Sequence, residues 1–334
     1  MMIGLLLSSN VLILSASAAG SASVSPREYA TMMAQHPPTS VGCFKSTYPD
    51  TTWHEVQCGP APTNPDTVGN GYDYSASAGT TNIAYSNGDF TSVSGITSEY
   101  DSLNPCFNPS GNGNCSNYYS LQINSNTFTC TPPGGVSATC WEQFVFQNPQ
   151  AIFITYYLPG YYSAHGNCPS QPPNSWQVYN SVDCWLPEGV ANTNNENLVT
   201  KLGSLTLFGE SHYLGSTNDF VQLCDGTNCW SGTYSDTEFF LYNHWVVTEW
   251  NVLGYGGASG ACINASGSPC PAPSGSPSLT PRIYLLDTNG NGITPACKGP
   301  INGGTTGETN NLNLVSNSCT PVGPPAAHLY FSEN

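Results

Sequence analysis

Two glutamates stand inside apolar, strand-like runs of a chain that carries few charges: Glu142 in "CWEQFVFQ" and Glu249 in "HWVVTEWNV". A carboxylate placed there loses hydration, so it must be partnered or its pKa must rise. Held that way, it can take a proton from water. Hydrolysis also needs a group to hold the negative charge that develops on the attacked carbonyl oxygen. A glutamine serves, because its side-chain N–H donates to an oxyanion and needs no metal, serine or cysteine. Gln143 and Gln147 lie in the same run as Glu142. Strand alternation puts Gln143, Val145 and Gln147 on one face and Glu142, Phe144 and Phe146 on the other. Glu249 shares its face with Trp245, Val247, Asn251 and Leu253, opposite His244, Val246, Thr248, Trp250 and Val252. Both faces are largely apolar, so a central strand is expected. The competing reading of Glu249 is a structural glutamate bonded to a neighbouring Tyr, Trp or Thr.

Other chemistries find little support. The six histidines show no H-x-x-x-H or comparable spacing, and no C-x-x-C occurs, so no metal and no cofactor is expected. G-x-S-x-G is absent, which removes the nucleophile elbow. "DTNGNG" at Asp287–Gly292 starts like a calcium loop, but the twelfth position is Lys298, and an Asn-Gly hairpin turn is the better reading. Asn264-Ala265-Ser266 is a glycosylation sequon.

The elements that must position these residues read as strands. "NIAYSN", "DFTSVSGITSEY", "YYSLQINSNTF", "WEQFVFQ", "AIFITYYL", "LGSLTLFGE", "DFVQLC", "EFFLYNHWVVTEWNVLG" and "RIYLLD" are rich in β-branched and aromatic residues and bounded by Gly, Asn, Ser or Pro. The expected fold class is all-β, an antiparallel sandwich or barrel. One helix is expected, Pro26 to Met33, with Pro early and Glu28 close behind. Residues 20–60 read as an N-terminal extension or pro-segment, followed by a β domain over 61–334 that ends in a Gly/Asn/Thr-rich tail and a last strand in "HLYFSEN".

Charge and cysteines point to a compartment. The chain has 21 carboxylates against five Lys and Arg, a formal charge of −16, and no basic run, which argues against nucleic acid. In acid at most eleven positive charges remain, five from Lys and Arg and six from His, so self-repulsion at low pH is modest. Fourteen cysteines fall into short sequential pairs: 43/58, 106/115, 130/140, 168/184, 224/229, 262/270 and 297/319. Local disulfides in an oxidising compartment are expected. Residues 1–19 read as a signal peptide with Ala16-Ser17-Ala18 as cleavage site, too short and interrupted for a membrane anchor.

From Tyr72 to Tyr255 the order of motifs resembles the glutamic peptidases of the scytalidoglutamic and aspergilloglutamic type, the eqolisins. "GDFTSVSGITSEY" is similar to an early family strand, and "YYSLQIN" with Cys130 to the Trp-Val-Gly-Ile-Asp strand and its following cysteine. "CWEQFVFQN" resembles the strand of the catalytic glutamine, "FITYYLPG" the next strand, and Glu249-Trp250-Asn251-Val252 the strand of the catalytic glutamate. Tyr156, Leu253 and Gly254 stand where the family has carboxylates. The resemblance implies a concanavalin-like antiparallel β-sandwich and an acid-active, secreted endopeptidase, monomeric, without cofactor, acting on polypeptide. Glu249 would activate water, and Gln143 or Gln147 would hold the oxyanion. Trp245, Trp250, Tyr156 and Tyr157 would line the substrate cleft. The alternatives are a non-catalytic sandwich that binds polysaccharide and a structural surface protein.

Overall fold

The computed structural model describes residues 24–60, 62, 72–101, 115–148, 151–170, 176–193, 197–254, 260–261, 276–302 and 311–334. The expected signal peptide, the sequon at Asn264 and the pairs 106/115 and 262/270 lie outside the described residues or rest on them.

Helix α1 (Pro26–Ala34) comes first, then β1 (Gly42–Thr47), β2 (His54–Val56), β3 (Tyr72–Ser77), β4 (Tyr85–Ser94), β5 (Tyr100–Asp101), β6 (Cys115–Ser116) and β7 (Tyr119–Ser125). β8 (Phe128–Cys130), β9 (Ala138–Gln147) and β10 (Ala151–Leu158) lead to a short helix α2 (Tyr161–His165). β11 (Gln177–Tyr179), β12 (Asp183–Asn192), β13 (Thr206–Ser211), β14 (Asn218–Cys224), β15 (Asn228–Ser235) and β16 (Val247–Gly254) follow. The chain ends with β17 (Ser278–Leu286), β18 (Gly292–Ile293), β19 (Ala296–Asn302), β20 (Ser316–Val322) and β21 (His328–Glu333).

Two large antiparallel sheets stack on one another. The first runs β2-β1-β15-β14-β13-β4-β17-β21-β20, with β18 on β17. The second runs β11-β12-β10-β9-β7-β16-β3-β19, with β8 on β9. The fold is therefore the all-β sandwich that the strand pattern predicts. Its core lies between the sheets: Leu121, Ile123, Phe144, Phe146, Ile152, Ile154, Trp250 and Val252 from one side meet Leu207, Val221, Leu223, Ile283, Leu285 and Leu329 from the other. Trp250 fits because its indole lies over Gly88 of β4, where a Cβ would sit 2.0 Å from the ring. Its Nε1 donates to the Asp89 carbonyl at 3.2 Å.

Five of the expected sequential cysteine pairs are disulfides, 43–58, 130–140, 168–184, 224–229 and 297–319. The first four close short local segments, and Cys297–Cys319 joins β19 to β20, the terminal strands of the two sheets. Asp287 caps the "DTNGNG" hairpin by accepting from the backbone N–H of Asn289 and Asn291, both at 2.8 Å, so this stretch is a turn. No helix among the described residues is long and apolar enough to cross a membrane.

The N-terminal segment departs from the expected extension. β1 pairs with β15 from Gly42 to Thr47 and is an integral strand of the first sheet. α1 begins with a capping box between Ser25 and Glu28 and carries Pro at its start. It buries Tyr29, Ala30, Met33 and Ala34 against Tyr85, Phe208 and Tyr213 on the sheet's outer face. Arg27 reaches Asp89 at 2.6 Å, and Arg282 grips the same carboxylate with two bonds of 2.9 and 2.7 Å. Tyr29 is fully buried, and its hydroxyl donates to the Asp50 carbonyl at 2.7 Å beside Ser46 Oγ. Tyr29→Ala is therefore expected to destabilise the fold by about 3–5 kcal/mol, whereas Ser25→Ala costs about 1 kcal/mol, as read by denaturant unfolding.

Candidate functional site

β16 is central, between β3 and β7, as its two apolar faces require. Glu249 lies directly opposite Ser75 of β3 and Asn124 of β7. Asn124 lies opposite Gln143 of β9, and Gln143 opposite Thr155 of β10. Directly opposed residues of antiparallel strands share a face. Ser75, Glu249, Asn124, Gln143 and Thr155 thus form one row across five strands, on the side that turns away from the first sheet. One step along β16 on that side is Asn251, opposite Gln122.

Side-chain amides tie these rows together. Gln143 Nε2 donates to Gln122 Oε1 and to Asn124 Oδ1, both at 3.0 Å. Asn124 Nδ2 donates to Gln122 Oε1 at 3.3 Å, and Gln122 Nε2 donates to Ser120 Oγ at 2.8 Å. Both amide protons of Gln143 are therefore placed toward β7, the strand between β9 and the β16 of Glu249. Asn251 Nδ2 donates to Asp73 Oδ1 at 2.5 Å and to Glu333 Oε1 at 2.8 Å. Asn311 and Ser316 also donate to Glu333 Oε1, at 2.8 and 2.9 Å. Burial raises the Glu333 pKa, and the bonds from Asp73, Asn311, Asn251 and Ser316 pull it back. Glu249 and Asn124 are each 1% exposed and Gln143 is 4% exposed.

The residues expected at the site divide sharply. Glu249 and Gln143 share a face and a row, with Asn124 between them, two strand spacings or about 10 Å apart. Gln147 is on the same face but lies opposite Ser120, whose other neighbour is Leu253. That is four residues along β9 from Gln143, about 13 Å at strand rise. Its Nε2 donates to the Tyr118 hydroxyl at 3.1 Å. Tyr157 shares the Glu249 face and packs edge-on against Trp141 at 5.6 Å.

Trp250, Tyr156 and Trp245 do not line this face. Trp250 and Tyr156 are on the opposite side of their strands and fully buried between the sheets. Trp245 precedes β16. The Asn126 side chain accepts from Val246 N and Val247 N at 2.9 and 3.0 Å, and a 3-10 turn at Leu241–Asn243 lies just upstream. Alternation therefore does not reach back to Trp245, whose indole stacks on Phe144 in the core at 5.6 Å. A cleft role for these three aromatics is not compatible with those positions.

Asn124, Gln122 and Asp73 are site-lining residues that the catalytic reading passed over. A signal was present: Ser120, Gln122 and Asn124 alternate with Leu121 and Ile123 in "SLQIN". The approach of Glu333 had no local signal, because it comes from the last strand of the other sheet. Among the described residues no group of three or more His, Cys, Asp or Glu is placed to hold a metal ion. Compared with known protein families, curated proteins and solved structures, the chain matches none.

Proposed function

We propose that the protein is a secreted, acid-active endopeptidase of the glutamic type, with Glu249 and Gln143 as its working pair. The observation that carries this is the single row Glu249–Asn124–Gln143 on one face of three adjacent strands. In the reaction, Glu249 takes a proton from water as the water oxygen bonds to the scissile carbonyl carbon. An amide N–H of Gln143, turned from its resting acceptors, holds the oxyanion. Glu249 then passes the proton to the amide nitrogen as the C–N bond breaks, leaving a carboxylic acid and an amine. Glu249 and Gln143 are nearly fully buried, so a substrate strand reaches them only when this face opens.

The disulfides and the N-terminal apolar segment support export to an oxidising compartment. The polysaccharide-binding alternative relies on exposed Trp and Tyr. Six of the seven tryptophans are at most 7% exposed, and the seventh, Trp53, packs against Phe220, which leaves that reading to exposed tyrosines such as Tyr48 and Tyr330.

The test is casein digestion near pH 3. Glu249→Gln is expected to lose activity by about 10³-fold or more, and Gln143→Ala by about 10²–10³-fold. Gln147→Ala is expected to stay near wild type, because its amide serves Tyr118. Undiminished cleavage by Glu249→Gln would overturn the proposal.

A further inference from the structure

A second set of carboxyls lies on the other face of β9, between the sheets and away from Glu249. Glu142 is fully buried, and neither of its side-chain oxygens has a hydrogen-bond partner. Tyr156 of β10 is directly opposite Glu142 and donates its hydroxyl to Asp219 Oδ2 at 2.7 Å. Asp219 belongs to β14 of the first sheet and is 1% exposed, and its Oδ1 is without a partner. Tyr156 thus brings the two acids to one place, being opposite Glu142 and bonded to Asp219, and the charge of Asp219 acts directly on Glu142. Two carboxyls from opposite sheets therefore face each other in the dry core.

The surroundings add acids and almost no compensating cation. Asp236 and Glu238 approach from the turn after β15, Glu188 from β12, and Glu210 acts through the first sheet from its outer face. Tyr156 and Tyr234 are the neighbouring phenols. The one basic group is His212, 33% exposed, whose Nδ1 is 3.4 Å from Asp236 Oδ2. The described ion pairs commit Arg27 and Arg282 to Asp89, and Lys45 lies over Trp230. Two ionised carboxylates in contact here would repel in a low dielectric with nothing to screen them. One proton between them converts the repulsion into a charge-assisted hydrogen bond.

We propose that Glu142 and Asp219 form a buried proton-binding site, a clasp that joins the two sheets when it holds one proton and releases them when that proton leaves. Burial, followed by the charge of Asp219, raises the Glu142 pKa well above the usual range. Burial likewise lifts Asp219, to about 7, against the bond from Tyr156. In acid the pair therefore holds two protons; Asp219 ionises around neutrality and leaves one proton, on Glu142, shared with it, and that last proton leaves only in the alkaline range. The clasp is independent of whether Glu249 is catalytic, since it lies on the opposite face.

Hydrogen–deuterium exchange on the full chain between about pH 6 and 10, corrected for intrinsic rates, tests this. Peptides covering 138–147, 151–158 and 218–224 are expected to lose protection at least tenfold as pH rises. Those covering 85–94 and 278–286 are expected to change far less. In Glu142→Gln the carboxamide donates to Asp219 at every pH, so protection of the first group should persist at pH 10. Asp219→Asn supplies a donor from the other side and should do the same. The proposal is overturned if the wild-type clasp peptides keep their protection to pH 10, or if the two variants lose it as the wild type does. The wild-type profile alone decides the matter if neither variant folds.

Discussion

The thermal midpoint of the protein is expected to rise as pH falls from about 8 to 4, by on the order of 10–20 °C. Burial raises the pKa values of Glu142, Asp219, Glu188, Glu210, Asp236 and Glu333 in the folded chain. Asp219 and Glu188 each reach about 7. A carboxyl raised on folding binds its proton more tightly in the native state than in the unfolded one. Its contribution is fully present below the unfolded pKa of about 4 and is lost as pH climbs through the folded value. For Asp219 alone the difference is on the order of 4 kcal/mol. At roughly 2 °C per kcal/mol for a chain of this size, a few such groups suffice.

Opposing groups are few and lie at the surface. Ser25 holds Glu28 below its ordinary value, and His54 does the same for Asp50. Asp287 is also lowered, with burial pulling up and the bonds from Asn291 and Asn289 outweighing it. These three contribute stability above about pH 4 and lose it below. The maximum is therefore expected on the acid side, near pH 4–5. Scanning calorimetry across that range checks it, and a midpoint that is flat or falls toward acid would refute the account.

Gly232→Ala is expected to destabilise the fold by about 3 kcal/mol or more. An added Cβ at Gly232 of β15 would lie 1.7 Å from the carbonyl oxygen of Gly189 in β12. Neither backbone can yield easily. Gly232 is held between Cys43 of β1 and Val221 of β14, and Gly189 has a left-handed φ of +61°. The two sheets approach here backbone to backbone, so the methyl group must wedge them apart. Gly323→Ala is the matched control: nothing lies within 4 Å of its added Cβ, and it should stay within about 0.5 kcal/mol of wild type. Paired urea titrations of the two variants separate the outcomes, and equal midpoints would remove the close approach from the account.

Those glycines also show where sequence reasoning stopped. β9 and β16 are legible because both are runs of aromatic and β-branched residues, and alternation places Gln143 and Gln147 opposite Glu142 in β9 and Glu249 opposite Trp250 in β16. β12 and β15 were not recognised as strands, because Pro187, Gly189 and Gly232 read as turn residues. What licenses them is the contact between strands, which no local pattern encodes. Trp245 was misplaced because alternation was carried past the point where Asn126 ends the strand. The partnership of Glu142 with Asp219 was illegible for a different reason. It depends on how two sheets are stacked, whereas alternation fixes only which face of its own sheet a residue takes. The helix α1 was legible from Pro26 and Glu28, but its docking on the sheet was not, because Tyr29 and Met33 alone do not say what they cover.

Among the described disulfides, Cys297–Cys319 alone joins the terminal strands of the two sheets, which makes the sandwich a book bound along one spine. With the terminal strands β19 and β20 sewn together, the sheets can part only by swinging open from the far side. β9 stands four strands from that spine, about 19 Å away. At that radius a small rotation at the binding becomes a wide gap at the fore-edge, and reducing this one bond should let the leaves separate along both margins instead of one.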